Sequence, residues 1–443
     1  ETQQFVKKAI EILDNDKKQE LQNEMNEIDV VRIANIFKRC TTENPSNSET
    51  SSVSPLPTVV REPSEEQKNN WETIGLSKIR QGKMAVVLLA GGQGSRLGYD
   101  HPKGMFEFGL PSKKSLFQIQ AERIRNLEIR ANCEGDSCIP WYIMTSDATD
   151  SETREFFEKN QYFGLNGKNI TFFKQSKLPA TDTNGNILLS SPSTIFQAPD
   201  GNGGVYAALD KSKCIANMKE RGIETIFMYG VDNALVRVAD PIFVGSFVES
   251  KFGCGCKVVP KASPDERVGI LVKKDGVVQV IEYSEISEEM ANQRNDDGSL
   301  TYNTANIVTH IFTLDSLQEI CKRSEEMPYH LAKKNMTVFN PETQSNEKVD
   351  GYKYEQFVFD SFQLVEDVFA LEVSRAEEFT AIKNKEGKDS PQTALNDISN
   401  YHKTMLSKVG AIIEGDGIVE ISPLLSYAGE NLSSYSGKVL KTP

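Results

Sequence analysis

A glycine-rich segment followed by a lysine is the part of this sequence best suited to chemistry. An apolar run at 84–90 leads directly into residues 91–98, Gly-Gly-Gln-Gly-Ser-Arg-Leu-Gly, and Lys103 follows shortly after. A short apolar run ended by clustered glycines is typical of a buried strand that opens into a tight loop. Glycines let backbone N–H groups approach an anion, and Arg96 and Lys103 add positive charge. The segment therefore predicts a polyphosphate-binding loop.

The loop matches neither of the two common phosphate-binding motifs. A P-loop reads Gly-x-x-x-x-Gly-Lys-Ser/Thr, and no glycine here starts such a pattern. A dinucleotide-binding fingerprint reads Gly-x-Gly-x-x-Gly, but counting from Gly92 and Gly94 its third position is Leu97. This spacing excludes a Rossmann-type oxidoreductase. The alternative is a loop that only connects a strand to a helix. The positions of Arg96 and Lys103 argue against that interpretation.

Three further polar features follow predicted strands or precede a helix. Gln175 follows a strand at 170–173, and its carboxamide could pair with the edge of a uracil ring. The glycines of 201–204 could let backbone N–H groups approach a ligand or a sugar hydroxyl. Asp232 follows a strand at 223–231, and Mg²⁺ on nucleotide phosphates needs only one or two carboxylates. Alone, each feature could equally be a surface glutamine, a turn or a helix cap.

Composition limits the classes of partner. The chain has 443 residues, enough for two or three domains, and a net charge of −13, which argues against nucleic acid and anionic membranes as partners. Seven cysteines without a secretory leader predict reduced thiols in a cytoplasmic protein. No apolar stretch approaches the roughly 20 residues of a membrane span. Neither the cysteines nor the four histidines are spaced for a zinc site or a catalytic pair, and no obligate protein partner is evident.

Strands alternating with helices predict an α/β fold with a mixed, mostly parallel Rossmann-like sheet. Ligands of such sheets bind beyond the carboxyl ends of the strands, where the glycine loop and Asp232 are expected. A capping box, 115–118, should begin a helix with Leu116, Ile119, Ile124 and Leu127 on its inner side. An Asp-Gly pair at 275–276 predicts a hairpin over 268–283. Other strands are expected at 141–144, 306–312, 356–359 and 368–373.

The same patterns divide the chain into three predicted domains. Residues 1–78 are expected to form an N-terminal helical lobe, with a Ser- and Pro-rich linker at 41–63 and a helix at 67–81. Residues 79–378 should form the central domain that binds nucleotide and sugar phosphate. Residues 379–443 should form a small C-terminal α+β domain, with a helix at 394–406 and short β structure at 412–413 and 418–421.

The loop pattern Leu-x-x-Gly-Gly-x-Gly-Ser-Arg-Leu-Gly, followed by Pro102-Lys103, resembles that of sugar nucleotidyltransferases. With residues 99–104 included, the pattern most closely resembles that of the eukaryotic UDP-N-acetylhexosamine pyrophosphorylases, and in particular the fungal ones. The similarity extends from about Gly75 to Gly429 as eleven motifs in one order: 94–98, 102–103, 173–175, 178–180, 201–204, 231–233, 268–270, 282–285, 302–307, 357–360 and 421–429.

This resemblance implies a nucleotidyltransferase fold of the glycosyltransferase-A-like type. It also implies a Mg²⁺- or Mn²⁺-dependent reaction in which UTP and N-acetylglucosamine 1-phosphate give UDP-N-acetylglucosamine and pyrophosphate. The sugar phosphate is already an anionic nucleophile, so no general base is needed. Positioning and cationic stabilisation of the α-phosphate would supply catalysis.

The resemblance also assigns roles to individual residues. The catalytic cations would be Arg96 on the outer phosphates, Lys103 near the reacting centre and Lys383 on the sugar phosphate. Asp232 would bind the metal. Uridine and phosphates would contact Leu89, Ala90, Gly91, Gly92, Gly94, Ser95 and Gln175, and the sugar side would contact Gly201, Asn202, Gly269, Glu282, Asn306, Phe357 and Phe359.

Two other functions remain open. A UTP:glucose-1-phosphate uridylyltransferase would share the loop and the fold, although the motifs between 282 and 359 favour the amino sugar. A catalytically silent nucleotide-sugar sensor would keep the fold for binding alone. Against the sensor stand Arg96, Lys103, Asp232 and Lys383 together, since binding would not require cations on both sides of the α-phosphate.

Overall fold

The computed structural model describes residues 3–42, 52–133 and 138–442. The α-helices there are α1 (Gln4–Ile12), α2 (Asn15–Asn26), α3 (Val30–Thr42), α4 (Glu65–Arg80), α5 (Leu116–Arg130), α6 (Asp150–Lys159), α7 (Val205–Lys211), α8 (Cys214–Glu220), α9 (Pro241–Ser250), α10 (Glu288–Asn292), α11 (Leu314–Lys322), α12 (Arg375–Glu378) and α13 (Pro391–Lys408). Over this part of the chain, every helix is too short or too polar to cross a membrane.

The strands, in chain order, are β1 (Val53–Pro55), β2 (Val59–Val60), β3 (Met84–Leu89), β4 (Trp141–Thr145), β5 (Ile170–Lys174), β6 (Lys177–Pro179), β7 (Thr181–Asp182), β8 (Leu189–Ser191), β9 (Thr194–Ile195), β10 (Gln197–Pro199), β11 (Thr225–Gly230), β12 (Cys254–Pro260), β13 (Ile270–Lys274), β14 (Val277–Ile281), β15 (Thr304–Thr313), β16 (His330–Asn340), β17 (Ser345–Glu355), β18 (Phe369–Glu372), β19 (Ile412–Glu414) and β20 (Val439–Lys441).

The chain forms two compact units, each assembled from separate stretches. The first comprises 1–51, 175–208 and 323–361, and the second comprises 52–174, 209–322 and 362–443. The three predicted domains, divided after residues 78 and 378, are a different kind of partition and stay a prediction. Residues 43–51 of the predicted linker lie outside the described residues. Its later part is not a loop alone, since β1 and β2 each pair with a strand of the second unit.

The second unit is built on a large mixed sheet with the strand order β2-β18-β12-β15-β11-β3-β4-β5. Only β15 runs against its neighbours in this path; the other pairs are parallel. The predicted mostly parallel α/β sheet is therefore confirmed. β3 is buried along its whole length, as expected for a strand covered on both faces. Its core includes Trp71 of α4, Phe117 of α5 and Phe243 of α9.

The predicted helix after Ser115 forms as α5. Ser115 caps it by accepting a hydrogen bond from the Gln118 backbone N–H at 3.2 Å. The reciprocal half of the capping box is absent from α5, because the Gln118 side chain donates instead to Glu122 one turn later, at 3.0 Å. The predicted inner side is buried as expected, at Leu116, Ile119, Ile124 and Leu127.

The predicted hairpin is β13 and β14. Asp275 and Gly276 both have positive φ angles, 51° and 82°, as a two-residue type I′ turn requires. Ile270 pairs with Ile281 at the open end of the hairpin. The hairpin extends the large sheet beside β15.

Two predicted strands are wrong. Residues 356–359 instead lead into a 3₁₀ helix, Val358–Leu364, because the Asp360 carboxylate accepts the Phe357 N–H at 2.7 Å and starts a turn. Residues 418–421 do not extend a sheet, because side chains of α13 take their backbone groups: Ser399 Oγ accepts the Val419 N–H at 2.9 Å, and His402 Nδ1 accepts the Ile421 N–H at 3.1 Å. β19 pairs with β20 instead.

The first unit combines α1–α3 with a sheet in the order β7-β17-β16-β8-β9. Its largest part is the long β16–β17 hairpin, which the sequence did not predict. Apolar side chains of the three helices pack on the sheet in one cluster that includes Leu21, Ile33, Leu189 and Tyr354. A separate pair, β6 and β10, precedes the Gly201 turn.

Candidate active site

The glycine loop and Asp232 leave the sheet side by side. β3 and β11 are parallel neighbours, and Leu89, the last residue of β3, pairs with Gly230, the last residue of β11. The Val231 N–H donates to the Leu89 carbonyl at 3.2 Å. Both predicted phosphate-binding segments therefore begin at the same carboxyl edge, as the sequence predicted.

Local hydrogen bonds fold the loop back on the segment that carries Lys103. The Gly94 N–H donates to the His101 carbonyl at 3.0 Å, and the Lys103 N–H donates to the Gly92 carbonyl at 3.2 Å. A Cβ at Gly94 would lie 2.8 Å from the Tyr99 carbonyl oxygen, so only glycine fits there. At Gly92 a Cβ would meet nothing within 4 Å, which leaves that stretch of backbone open.

Several loop amides are available to an anion. Over residues 3–42, 52–133 and 138–442, the N–H groups of Gly91, Gly92, Ser95 and Arg96 donate no hydrogen bond to the protein. The Ala90 N–H, by contrast, donates to the Met144 carbonyl at 3.0 Å. Among the main-chain groups predicted to contact the substrate, the N–H groups free to donate therefore begin at Gly91.

Beside the loop, the charge of Lys103 interacts with two other cations, Arg96 and Lys383, and with the carboxylate of Asp232. Burial lowers the pKa of Lys103 below its ordinary value of 10.5, Asp232 acts against that shift, and the like charges of Lys383 and Arg96 add to it. Lys103 is half-buried, whereas the Arg96 and Lys383 side chains are exposed. The site is therefore locally cationic, although the chain as a whole has a net charge of −13.

A short strap places Lys383 next to Asp232. The Ile382 N–H donates to the Asp232 carbonyl at 2.9 Å. Buried Asn233 fixes the strap through its side chain: Nδ2 donates to the Glu378 carbonyl at 2.8 Å, and Oδ1 accepts the Thr380 N–H at 3.1 Å. The sequence analysis did not identify Asn233 as a positioning residue, because its partners lie about 145 residues away along the chain.

Three of the predicted sugar-binding residues converge where β13, β14 and β15 meet. The Asn306 N–H donates to the Gly269 carbonyl at 2.9 Å. A Cβ at Gly269 would lie 2.6 Å from Val280 Cγ1 and 2.8 Å from Glu282 Oε1, so a larger residue there would force both side chains to move. Nearby in β15, Val308 approaches Gly230, where a Cβ would lie 3.7 Å from the Val308 Cγ1 and 3.0 Å from Asp232 Oδ1.

The first unit brings together the other predicted residues. The Gln175 Nε2 donates to the Gly201 carbonyl at 2.6 Å, and Asn202 Oδ1 accepts the Val358 N–H at 2.9 Å. The rings of Phe357 and Phe359 lie 5.3 Å apart. Because a carbonyl only accepts, the amide end of Gln175 must face Gly201. Its Oε1 is left as an acceptor without a partner among the described residues, which suits the N3–H of uracil.

The sequence analysis missed two residues in this group. Asp200 is 6% exposed, and its Oδ1 has no partner in the described part of the chain. Burial raises the pKa of Asp200 to about 7, against the opposing effects of Gln175 and Arg32. His330 stacks on Phe357 with ring centroids 4.4 Å apart. Asp200 directly precedes the 201–204 motif, whereas His330 belongs to the unpredicted hairpin.

Asp232 is compatible with a magnesium ion bound through substrate. Among residues 3–42, 52–133 and 138–442, no group of three or more His, Cys, Asp or Glu side chains could hold a metal. Mg²⁺ in nucleotide sites is commonly bound by one or two carboxylates together with substrate phosphates. Asp232, at the strand edge and beside three cations that suit phosphate, fits that arrangement.

Comparisons with known proteins identify the family of the chain. The family model described as UTP–glucose-1-phosphate uridylyltransferase matches residues 32–405. The human UDP-N-acetylhexosamine pyrophosphorylase-like protein 1 is 43% identical over 404 residues, covering 85% of this chain and 80% of the human protein. The UDP-N-acetylglucosamine pyrophosphorylase of Saccharomyces cerevisiae is 42% identical over 399 residues, covering 87% and 83%.

A solved structure shares the fold. The crystal structure of the uridine diphosphate N-acetylglucosamine pyrophosphorylase from Trypanosoma brucei, in complex with an inhibitor, has a TM-score of 0.85 at 28% identity and covers 98% of this chain and 94% of that one. The family model and the relatives each span most of the chain. The protein therefore belongs to the UTP–glucose-1-phosphate uridylyltransferase family.

Proposed function

We propose that this protein transfers the uridylyl group of UTP to N-acetylglucosamine 1-phosphate, giving UDP-N-acetylglucosamine and pyrophosphate. The observation that carries the proposal is the group formed by the open loop amides with Arg96, Lys103, Asp232 and Lys383. The human and yeast relatives, a UDP-N-acetylhexosamine pyrophosphorylase-like protein and a UDP-N-acetylglucosamine pyrophosphorylase, support the same substrate class.

The reaction requires little beyond positioning and charge. A phosphate oxygen of the sugar phosphate attacks the α-phosphorus of UTP, and the bond from that phosphorus to the bridging oxygen of pyrophosphate breaks in line. Because the nucleophile is already anionic, no proton has to be removed. Lys103 and Lys383 would offset charge on the reacting phosphates, and Arg96 with the free loop amides would hold the outer ones.

Asp232 would hold a Mg²⁺ or Mn²⁺ ion together with the UTP phosphates, and the ion would neutralise their charge when bound. In the first unit, Gln175 would accept the N3–H of uracil. Gly269, Glu282 and Asn306 would bind the sugar, with Asn306 at the acetamido group. The roles of Gly201, Asn202, Phe357 and Phe359 at the sugar, and the cytoplasmic location, are retained from the sequence analysis.

The test is pyrophosphate release by the purified protein with UTP, Mg²⁺ and either N-acetylglucosamine 1-phosphate or glucose 1-phosphate. We expect pyrophosphate to be released faster with N-acetylglucosamine 1-phosphate than with glucose 1-phosphate. A preference for glucose 1-phosphate would assign the alternative uridylyltransferase activity. Binding of UDP-sugar without any pyrophosphate release would assign the sensor function.

A further inference from the structure

A bulge interrupts β15 beside the predicted sugar site. β12 and β15 pair Cys256 with His310 and Val258 with Asn306, so three residues of β15 lie opposite one residue of β12. At the centre of the bulge, Val308 has a φ of 52°. A left-handed conformation is a strong outlier for a β-branched residue, and such strain tends to occur at ligand-binding sites.

The bulge fixes which end of the Asn306 side chain faces the protein. The Val308 N–H donates to Asn306 Oδ1 at 3.1 Å, and the His310 Nε2 lies 3.4 Å from the same oxygen. A backbone N–H can only donate, so the oxygen must be the inward atom. The Asn306 Nδ2 then has no partner among the described residues. It is not completely buried, so a ligand can reach it.

His310 is suited to hold that oxygen. It is fully buried, and its ring lies 4.9 Å from that of Phe362. Burial lowers the pKa of His310 to about 3, so the imidazole is neutral at physiological pH. Its Nδ1 is buried without a partner in the described part of the chain. A proton on Nε2 therefore satisfies the one nitrogen that has an acceptor, Asn306 Oδ1.

We propose that Val308 and His310 are positioning residues that keep the Asn306 amide nitrogen pointing outward, as a donor to the carbonyl oxygen of the sugar's N-acetyl group. This inference rests on the proposed function and explains how the site recognises the acetamido group. Glucose 1-phosphate has a hydroxyl and no carbonyl at the corresponding carbon. An Asn306 side chain in the flipped orientation would present its oxygen to the acetyl carbonyl, and these two acceptors would repel each other.

The test compares two substitutions of His310. His310→Phe keeps the ring volume and removes the donor, whereas His310→Gln keeps an N–H donor near the position of Nε2. The measured quantity is the ratio of kcat/KM for N-acetylglucosamine 1-phosphate to that for glucose 1-phosphate. We expect His310→Phe to lower the ratio about 5- to 10-fold, mainly through KM for the acetylated substrate, and His310→Gln to restore it to within about twofold.

A matched control uses another buried histidine. The pKa of His402 is also lowered by burial, to about 4, but its ring interacts with Val419 and Ile421 near the C-terminus. His402→Phe should leave the ratio unchanged. An equal fall in this control would assign the effect of His310→Phe to general loosening of the fold and overturn the proposal.

A second variant keeps the inference testable if His310→Phe does not fold. Asn306→Asp retains the inward oxygen but replaces the outward donor by an acceptor, so the ratio should fall by about 100-fold or more. A folded His310→Phe or Asn306→Asp protein with the wild-type ratio would refute the inference. The same ratios measured as Kd values for UDP-N-acetylglucosamine and UDP-glucose test it even in a silent protein. Absence of turnover by wild type would refute only the proposed function.

Discussion

Replacing Lys103 should change catalysis and stability in opposite directions. Lys103→Met removes the ammonium group but keeps most of the apolar stem. In the free protein that charge is unfavourable, because it is partly desolvated and lies near Arg96 and Lys383, an effect that Asp232 opposes. In the reaction it would lie beside the phosphates, where its charge becomes favourable.

The magnitude follows from the loss of one preorganised charge at the reacting phosphate. Removing a single such contact typically costs about 3–4 kcal/mol of transition-state stabilisation, or 10²–10³ in kcat. Two unit charges at about 4 Å interact by about 4 kcal/mol at an effective dielectric constant of about 20, which agrees with that range. We therefore expect Lys103→Met to lower kcat/KM by about 10²- to 10³-fold.

The expected effect on stability has the opposite sign. The folded state lowers the pKa of Lys103 below 10.5, so the unfolded chain binds the proton more tightly. The charged lysine therefore destabilises the fold at neutral pH, and this penalty disappears as the pH rises through the folded pKa to above 10.5. Lys103→Met should unfold at the same or a higher temperature than wild type at pH 7, with the difference shrinking in alkali.

Pyrophosphate-release kinetics and thermal unfolding test both parts. The control is Lys219→Met, which removes an exposed lysine in α8 and should leave both quantities unchanged. A well-folded Lys103→Met protein with kcat/KM within about threefold of wild type would remove Lys103 from the mechanism. A clear loss of stability at pH 7 would show instead that its charge is favourable in the free protein.

Three other predictions test separate parts of the site. Gln175→Leu removes both the amide that donates to the Gly201 carbonyl and the oxygen proposed to accept the uracil N3–H, so kcat/KM for UTP should fall by about tenfold or more; an unchanged value would exclude this carboxamide from base recognition. Asn233→Ala leaves the Glu378 carbonyl and Thr380 N–H without their partners and should cost about 2–4 kcal/mol in urea unfolding, with a lower kcat; full stability would contradict its role in holding the strap. Chelation with EDTA should abolish turnover, and added Mg²⁺ should restore it, without changing the unfolding temperature of the free protein; activity in EDTA would rule out the proposed ion.

The sequence predicted those parts of the site that depend on local patterns. The apolar run at 84–90 required a buried strand, and the glycines after it required a loop. Because parallel strands end at the same edge, Asp232 could be expected near that loop, and β3 and β11 place it there. Both inferences needed only residues adjacent in sequence and the general rule for ligand binding in α/β sheets.

Features that depend on distant contacts could not be predicted in this way. The strap that carries Lys383 is held by the bond from the Ile382 N–H to the Asp232 carbonyl and by the side chain of Asn233. No local sequence pattern reveals these contacts. The strand predicted at 356–359 failed because Asp360, just beyond the apolar run, captures the Phe357 N–H. The sequence analysis missed the β16–β17 hairpin because β16 contains three consecutive exposed polar residues, Lys333, Lys334 and Asn335. They interrupt the alternation of apolar and polar residues that indicates a half-buried strand.

Several unfavourable features lie at, or close in sequence to, the residues assigned to the ligand. Lys103 is partly desolvated near other cations, and Val308 is strained. Asp200 Oδ1 and His310 Nδ1 lack partners within the described residues. Each feature raises the free energy of the free protein, and proteins keep such features mainly where function requires them. A polyphosphate would offset the charge beside Lys103, whereas it would leave the backbone of Val308 as it is. Substrate should therefore stabilise the loop and the strap, through binding linked to folding, more than the bulge, which is preorganised for the sugar before it arrives.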